Sequence, residues 1–420
     1  MLDSSTKKKL YFAGLVGEIM EWFDFTVYGF FALVIAANFF PSDNHFVSVV
    51  ATFAAFAIGF LMRPLGGLFF GYIGDKIGRK KVLTTSMYMM AIPSLIIALT
   101  PTFTTIGILA PIILILMRML QGLSVGGEHT GSIVYLTELS SKKDRALSAA
   151  IPFIGTVLGV LLGSFVGVII FSIFSHEAIV EWAWRIPFFM GVLVAIVGIV
   201  IRKYLPESHT PDDDTQEVVP IVEVFKYHKA SFAKVFFLNL TFAIGFYTVF
   251  IYNPIWMQKF LHVSKSYSLE INSISLVMAI VAMLISSHYS NKFGRKPLLL
   301  LATAGLTLFS YPLYELMLSD FALHALLGQG ILAMLIGTFM GVIGIVMVEL
   351  FKKSIRMSAV GVAFNLSFAI FGGTAPLIAT WLIHTTHDNL SIAWYISVSS
   401  LISFITVLTI KETYQKEELD

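Results

Sequence analysis

Apolar runs of about 20 residues, each long enough to cross a hydrocarbon core of roughly 30 Å, follow one another along this chain and are parted by short polar turns. Twelve fall near residues 11–37, 46–73, 82–100, 105–137, 146–174, 184–203, 232–258, 269–290, 297–318, 321–350, 357–383 and 391–411. The longest hydrophilic stretch, residues 204–230, separates the sixth run from the seventh and holds Pro206, Pro211, Asp212, Asp213, Asp214 and Pro220. The pattern predicts an all-α membrane protein, with twelve transmembrane helices in two pseudo-symmetric six-helix bundles, 1–203 and 231–420, joined by a cytoplasmic linker. The first run follows Lys7, Lys8 and Lys9 and is longer than a signal-peptide core, so it is expected to stay as a span.

Composition agrees. Of 420 residues 57% are hydrophobic and 13% charged, and the mean hydropathy is +0.83, more apolar surface than a soluble globule needs. A net charge of +2 gives nucleic acid no electrostatic footprint, and the absence of cysteine excludes disulfide and thiol chemistry. Lysine and arginine gather at the N-terminus, at every second connection, in the linker and at the C-terminus, and only Arg63, Arg118, Arg185, Lys259 and Lys265 lie elsewhere. By the positive-inside rule both termini are expected in the cytoplasm.

The halves also echo each other. GDKIGRKK at 74–81, after the second run, returns as SNKFGRKP at 290–297, after the eighth; Glu138, Leu139 and Arg145 return at the same spacing as Glu349, Leu350 and Arg356. Parallel six-span repeats are the mark of a transporter that rocks one half against the other around a midplane site.

Ionisable residues inside the spans are the candidate chemistry, because a charge at mid-bilayer costs roughly 3 kcal/mol or more and persists where it pairs, lines a cavity or carries substrate and protons. In RMLQGLSVGGEHTG, residues 118–131, Arg118, Gln121, Val125, Glu128 and Ser132 recur at helical spacing. The first run carries Glu18, Glu21 and Asp24 among Trp22, Phe25 and Tyr28, with Glu21 and Asp24 roughly 17 to 21 Å deep at about 1.5 Å per residue. A desolvated carboxyl favours its protonated form, so Glu21, Asp24 and Glu128 are candidate proton carriers, or else permanent partners of Arg63 or Arg118. Arg118 presents a planar fork that fits a carboxylate, and its other reading is an ion pair with Glu128 or Glu21. Gln121 is a candidate second substrate contact. Arg63, just before Pro64, is either a substrate contact or an internal ion pair; His129, beside Glu128, is either a proton relay or a hydrogen-bonded packing residue. Gly155, Gly159, Gly163 and Gly167 form a stripe expected to admit a neighbouring helix. In the second half Tyr247, Tyr252, Asn253, Pro254 and Trp256 interrupt the seventh run, and Asn365 and Trp381 mark the eleventh. Aromatic faces suit an ammonium group, so Trp22, Phe25, Tyr28, Tyr247, Asn253 and Asn365 join the substrate candidates, while Trp256 and Trp381 read as interfacial anchors. With no deep basic residue in the second half, a zwitterion is favoured over a dicarboxylate. Without a GK[ST] phosphate loop, metal cluster or histidine-paired nucleophile, the chain does not read as an enzyme, and no cofactor is expected.

The loop at 74–81 resembles the signature of the major facilitator superfamily. With EWFDFTVYGF (21–30), FLMRPLGGLFFG (60–71), the 118–131 stretch, WAWRIPFF (182–189), RMSAVGVAFNLS (356–367) and KET (411–413), nearly the whole chain is similar to the metabolite:proton symporters of that superfamily, whose members carry proline and glycine betaine, alpha-ketoglutarate, shikimate or citrate. The resemblance implies proton-driven uptake of a small polar metabolite across the bacterial inner membrane by a monomer. It also implies a cytoplasmic gate latched by Asp75 and Arg79, with Arg145, Arg295 and Arg356 at the related turns. An organic-acid carrier, a facilitator or exchanger without proton coupling, and a receptor without transport are the rival readings. Four departures stand out: His129 where a tyrosine is usual, the additional Glu18, Asn291 in place of an acid, and an end at Asp420 without the long coiled-coil tail of the osmosensing betaine carriers, which puts osmotic regulation in doubt.

Overall fold

The structure, a computed structural model, describes residues 4–204, 206–207, 220–319 and 322–414. Pro211 and Asp212, Asp213 and Asp214 of the expected linker lie outside the described residues. The helices are α1 (Ser4–Phe30), α2 (Ala32–Phe39), α3 (His45–Lys76), α4 (Arg79–Leu99), α5 (Phe103–Ile106), α6 (Leu109–Glu138), α7 (Arg145–Ile173), α8 (His176–Ala178), α9 (Arg185–Lys203) and α10 (Pro220–Tyr227). They continue as α11 (Lys229–Phe246), α12 (Asn253–Phe260), α13 (Lys265–Phe293), α14 (Arg295–Met317), α15 (Ala322–Glu349), α16 (Arg356–Ser367), α17 (Ala375–Thr386) and α18 (Ser391–Thr409). Among the described residues eleven helices are long and apolar enough to span a bilayer, and α1 with α2, bent by 69° at Phe31, supplies a twelfth if the pair is one span.

Burial is inverted relative to a soluble protein. Leu193, Ile196, Val197 and Val200 of α9 are exposed while Arg202 of the same helix is buried, and Leu61, Leu65, Leu68 and Phe69 of α3 are exposed while Arg63 is buried. Apolar side chains facing outward over spans of this length are at ease only in hydrocarbon.

The chain forms two compact units, Met1–Leu136 with Ile151–Val219, and Thr137–Ala150 with Pro220–Asp420. The expected division differs in one place, since the turn 137–150 joins the second unit. Arg356 donates to Glu138 at 2.8 Å, and Asn291 donates to the carbonyl of Lys143 at 2.7 Å.

In the first unit the glycines of α7 give room to α1. A Cβ at Gly159 would lie 2.8 Å from the Ile19 carbonyl oxygen and the Trp22 Cβ, one at Gly155 would lie 2.6 Å from the Glu18 Cβ, and one at Gly163 would lie 2.8 Å from the Thr26 Cβ. Small residues let backbones approach, and here they press the acidic helix against its neighbour. Gly66, Gly122 and Gly126 bring α3 and α6 backbone to backbone in the same way.

In the second unit the seventh span contains a π-helical segment, Tyr247–Tyr252, ahead of Pro254. Proline has no N–H, so the carbonyl four residues earlier loses its helical donor. That carbonyl, of Phe250, accepts from Asn272 at 3.0 Å, while Gln329 donates to the Val249 carbonyl at 3.1 Å and to Asn272 Oδ1 at 2.7 Å. A second π-helical segment, Phe368–Gly372, precedes Pro376 in the eleventh span.

Candidate transport site

The first unit buries charged side chains from α1, α3, α6 and α9, with hydroxyls from α4 and α7 beside them. Glu18, Glu21, Asp24, Arg63, Arg118, Gln121, Glu128, His129 and Arg202 are each 2% exposed or less.

They divide into two networks spaced along α1 and α6. In the outer one, Arg118 donates through Nη1 to Gln121 Oε1 at 2.8 Å and meets Asp24 Oδ2 at 3.4 Å. Gln121 donates to Asp24 Oδ2 at 2.7 Å and to Ser94 Oγ at 3.0 Å, and Ser94 donates to Asp24 Oδ1 at 2.7 Å. The guanidinium lies over the rings of Phe25, Tyr28 and Phe56, with centroids at 4.4, 4.5 and 5.4 Å. Its Nη2 and Nε have no hydrogen-bond partner. One edge of the arginine is therefore held in place, and the other is a buried pair of donors that an incoming acceptor can satisfy. Tyr28 is fixed by its hydroxyl donating to the Thr52 carbonyl at 3.1 Å.

Of the acids weighed as partners for Arg118, Asp24 takes the role, at 3.4 Å. Glu128 lies ten residues on, about 15 Å along α6. There Arg202 grips both of its carboxylate oxygens, Nη1 meeting Oε2 at 2.9 Å and Nη2 meeting Oε1. Ser86 donates to it as well, and Gly17 leaves the space on α1 that this pair fills. The expectation that Glu128 carries protons thus meets a carboxylate already neutralised by a two-pronged partner.

Arg202 was grouped with the inward-facing anchor charges, yet it is buried. The signal available was Glu128 itself, a deep acid in need of a cation, with Arg202 near the end of the sixth run. His129 turns to the first span: its Nδ1 lies 2.8 Å from Glu18 Oε2, and its ring meets that of Phe153 edge to face at 4.8 Å. Glu21 stands between the networks, its Oε2 without a partner. Trp22 is buried on α1 against Gly159, and Arg63 lies 5.7 Å from the Phe60 ring.

The second unit holds the other substrate candidates. Asn365 donates to the Gly361 carbonyl of its own helix at 2.8 Å, and Asn253 donates to Gln329 at 3.2 Å, within the amide cluster that caps the π-helical carbonyls. Tyr247 packs on Phe246 and Phe368.

The gating candidates occupy the turns. Asp75 pairs with Arg79 at 3.0 Å, both buried. Arg295 donates to Asn291 Oδ1 at 2.8 Å and reaches Glu349 at 3.4 Å, and Arg356 meets Glu138. Arg145 is buried at the start of α7 in the second unit's turn.

Two residues at these turns were not anticipated. Glu207 accepts from the backbone N–H of Arg79 at 2.9 Å and of Lys80 at 3.2 Å, while Glu412 accepts from Arg295 at 3.0 Å and Lys296 at 2.9 Å. Each carboxylate thus caps the exposed amides at a helix start, where the helix dipole favours negative charge. Gly78 (φ 130°) and Gly294 (φ 100°) make both caps possible, since a Cβ at either would lie 2.5 Å from the glutamate. Burial would push the Glu412 carboxyl up, but the backbone amides of Arg295, Lys296, Tyr414 and Thr413 outweigh it and hold it below the usual carboxylate range.

The fold and these buried charges define a membrane transporter, and the comparisons with known proteins agree. The family of sugar (and other) transporters matches residues 10–418, and the chain belongs to it, within the major facilitator superfamily. It is 33% identical to the proline/betaine transporter of Salmonella typhimurium over 98% of this chain and 85% of that protein. It is likewise 33% identical to a glycine betaine/proline/ectoine/pipecolic acid transporter of Dickeya dadantii, over 99% of this chain and 85% of that one. Among solved structures, a proton:xylose symporter shares the fold with a TM-score of 0.82 at 17% identity, covering 98% of this chain and 97% of its own. The human organic anion transporter MFSD10 shares it with a TM-score of 0.69 at 15% identity, covering 96% and 99%. The chain is a transporter, not an enzyme.

Proposed function

We propose that the chain is a proton-coupled symporter of a small zwitterion of the proline or betaine kind, working by alternating access in a bacterial inner membrane, as a monomer with both termini in the cytoplasm. The observation that carries this reading is the half-satisfied guanidinium of Arg118. Its Nη2 and Nε are buried without partners, beside the faces of three aromatic rings. A substrate carboxylate would take the open edge, while the aromatic rings hold the guanidinium in place for it.

Proton coupling follows from the same arrangement. Asp24 and a substrate carboxylate compete for one guanidinium, and protonating Asp24 removes its claim on the cation. Proton and substrate then bind together, each favouring the other, as thermodynamic linkage requires. Glu21, on the same face one turn inward, passes the proton on. The relatives transport proline and betaine by name, which favours the zwitterion over an organic acid. The distribution of lysine and arginine supports the orientation. At the turns, Asp75 with Arg79 serves as the latch of the gate, helped by Arg145, Arg295 and Arg356.

Proteoliposomes holding the purified protein test the reading. Labelled proline or glycine betaine should accumulate under an imposed inward proton gradient, and a protonophore should abolish the accumulation. Equilibration without accumulation would identify a facilitator, and binding without flux a receptor.

A further inference from the structure

The buried charges of the first unit do not balance. Beside the buried Asp75–Arg79 pair, four carboxylates, Glu18, Glu21, Asp24 and Glu128, lie within its helices with three arginines, Arg63, Arg118 and Arg202, one acid in excess. Asp24 is matched by Arg118 and Glu128 by Arg202. Glu18 and Glu21 are left with Arg63 as the cation near both. An uncompensated charge at this depth is strongly disfavoured, which favours one proton residing in this group.

Glu18 is built to hold it. Its Oε2 lies 2.8 Å from His129 Nδ1 and accepts from Thr156 Oγ1 at 3.3 Å, while its Oε1 is buried without a partner. Phe153 walls the imidazole, and Gly155 closes against the Glu18 Cβ. The charged groups acting on Glu18 are Glu128 of α6, Arg63 of α3 and Arg202 of α9, with Glu21 one turn away on α1 itself. From α4 Ser86 donates to Glu128, and α7 contributes Thr156.

We infer that Glu18 and His129 form a second proton-binding station, distinct from Asp24, so that two protons accompany each substrate. The inference rests on the symport reading above. Asp24, Glu21 and Glu18 follow at three-residue steps on one helix face, each a rise of about 4.5 Å. Asp24 holds one proton, which leaves by way of Glu21, whose Oε2 has no partner; the Glu18–His129 pair holds a second proton of its own. On the pair it rests either as a carboxylic acid beside neutral imidazole or as carboxylate beside imidazolium. The net charge is zero in both forms, so the proton can shift between the two residues without a change of charge in the hydrocarbon. The pair releases it toward the inner end of the helices.

The test is a stoichiometry measured in proteoliposomes, with glycine betaine as the substrate probe. Under an imposed potential of about 60 mV each moved charge multiplies the limiting accumulation ratio roughly tenfold. The wild type is expected to move two charges per substrate, and Glu18→Gln or His129→Gln one, with the accumulation ratio down about tenfold. A stoichiometry of one in the wild type, or two in Glu18→Gln, overturns the station while leaving symport intact. Accumulation in the wild type that survives a protonophore overturns the symport reading itself, and the transport role of the station with it. Should Glu18→Gln fail to insert, infrared spectroscopy of the wild type at neutral pH decides. A protonated-carboxyl band that shifts in His129→Gln supports the pair, and a band unaffected by that change refutes it.

Discussion

Replacing Arg118 by lysine separates two-pronged substrate recognition from simple charge pairing. The arginine divides its donors, Nη1 serving Gln121 and Asp24 while Nη2 and Nε face no acceptor. A lysine ammonium is a single point of charge that can satisfy Asp24 and Gln121 or reach a substrate carboxylate, but does not bridge both. The lost interaction is a charge-assisted hydrogen bond worth about 1.5 to 3 kcal/mol, or roughly 10- to 100-fold in Kd at 1.4 kcal/mol per decade. Part of the cation–π attraction of Phe25, Tyr28 and Phe56 goes with it, since the flat guanidinium that stacks on those rings is gone. Thermal unfolding of the detergent-solubilised protein, titrated with glycine betaine, reads both effects at once. Arg118→Lys should keep most of the unliganded stability, because Asp24 retains a cation, while the ligand-induced shift moves to concentrations at least tenfold higher. An unchanged midpoint concentration would mean that the guanidinium fork holds Asp24 alone and that substrate binds elsewhere.

Arg202→Met strands Glu128 in the hydrocarbon and should cost about 3 to 5 kcal/mol, while Glu128→Leu combined with it should recover much of the loss; additive effects in that thermal double-mutant cycle would contradict the pairing. Gly159→Ala drives a methyl into the Ile19 carbonyl and should destabilise by about 1 to 3 kcal/mol, whereas Gly167→Ala, whose Cβ would meet the Phe30 ring at 3.6 Å, should be nearly silent in the same melt. Glu412→Gln removes the anionic cap of α14 and should cost about 1 kcal/mol at neutral pH. Because the folded Glu412 carboxyl is held below its usual range, that contribution is complete above the unfolded value and is lost as pH falls through the folded one. The gap between variant and wild type should therefore close in acid, and a gap that is constant down to pH 3 would refute the cap.

The number and limits of the spans were legible because a 20-residue apolar run has few alternatives in a chain this hydrophobic. Even the breaks at 247–254 announced themselves through Pro254 and the polar Asn253. Which ionisable residues are buried deep was legible too, since each of Glu21, Asp24, Arg63, Arg118 and Glu128 violates the composition around it. Who pairs with whom was not. Helical spacing puts Arg118 and Glu128 on related faces of one helix but says nothing of the register between α1 and α6, which decides that Asp24 rather than Glu21 faces Arg118. Gly17 of α1 bears on that register, because a Cβ there would fall on the Glu128 carboxylate and the Arg202 guanidinium. Arg202 was misjudged because a basic residue at a span's inner end has a ready explanation as an anchor. Glu207 and, within KET, Glu412 gave no sign of their capping role, because they bind backbone amides, which no spacing of side chains reveals.

Among the described residues every Asp, Glu, Lys, Arg and His in the helices of the second unit lies within two turns of a helix end. Its interior polar cluster, Asn253, Asn272 and Gln329, is made of neutral amides. The transmembrane voltage exerts about 2.3 kcal/mol per elementary charge per 100 mV, and only charges deep in the field feel most of it. In the proposed symport cycle the electrical work therefore falls on one half of the polypeptide. Rewiring acids and arginines there should retune how steeply flux responds to voltage, while the other half can be altered in shape without disturbing that response.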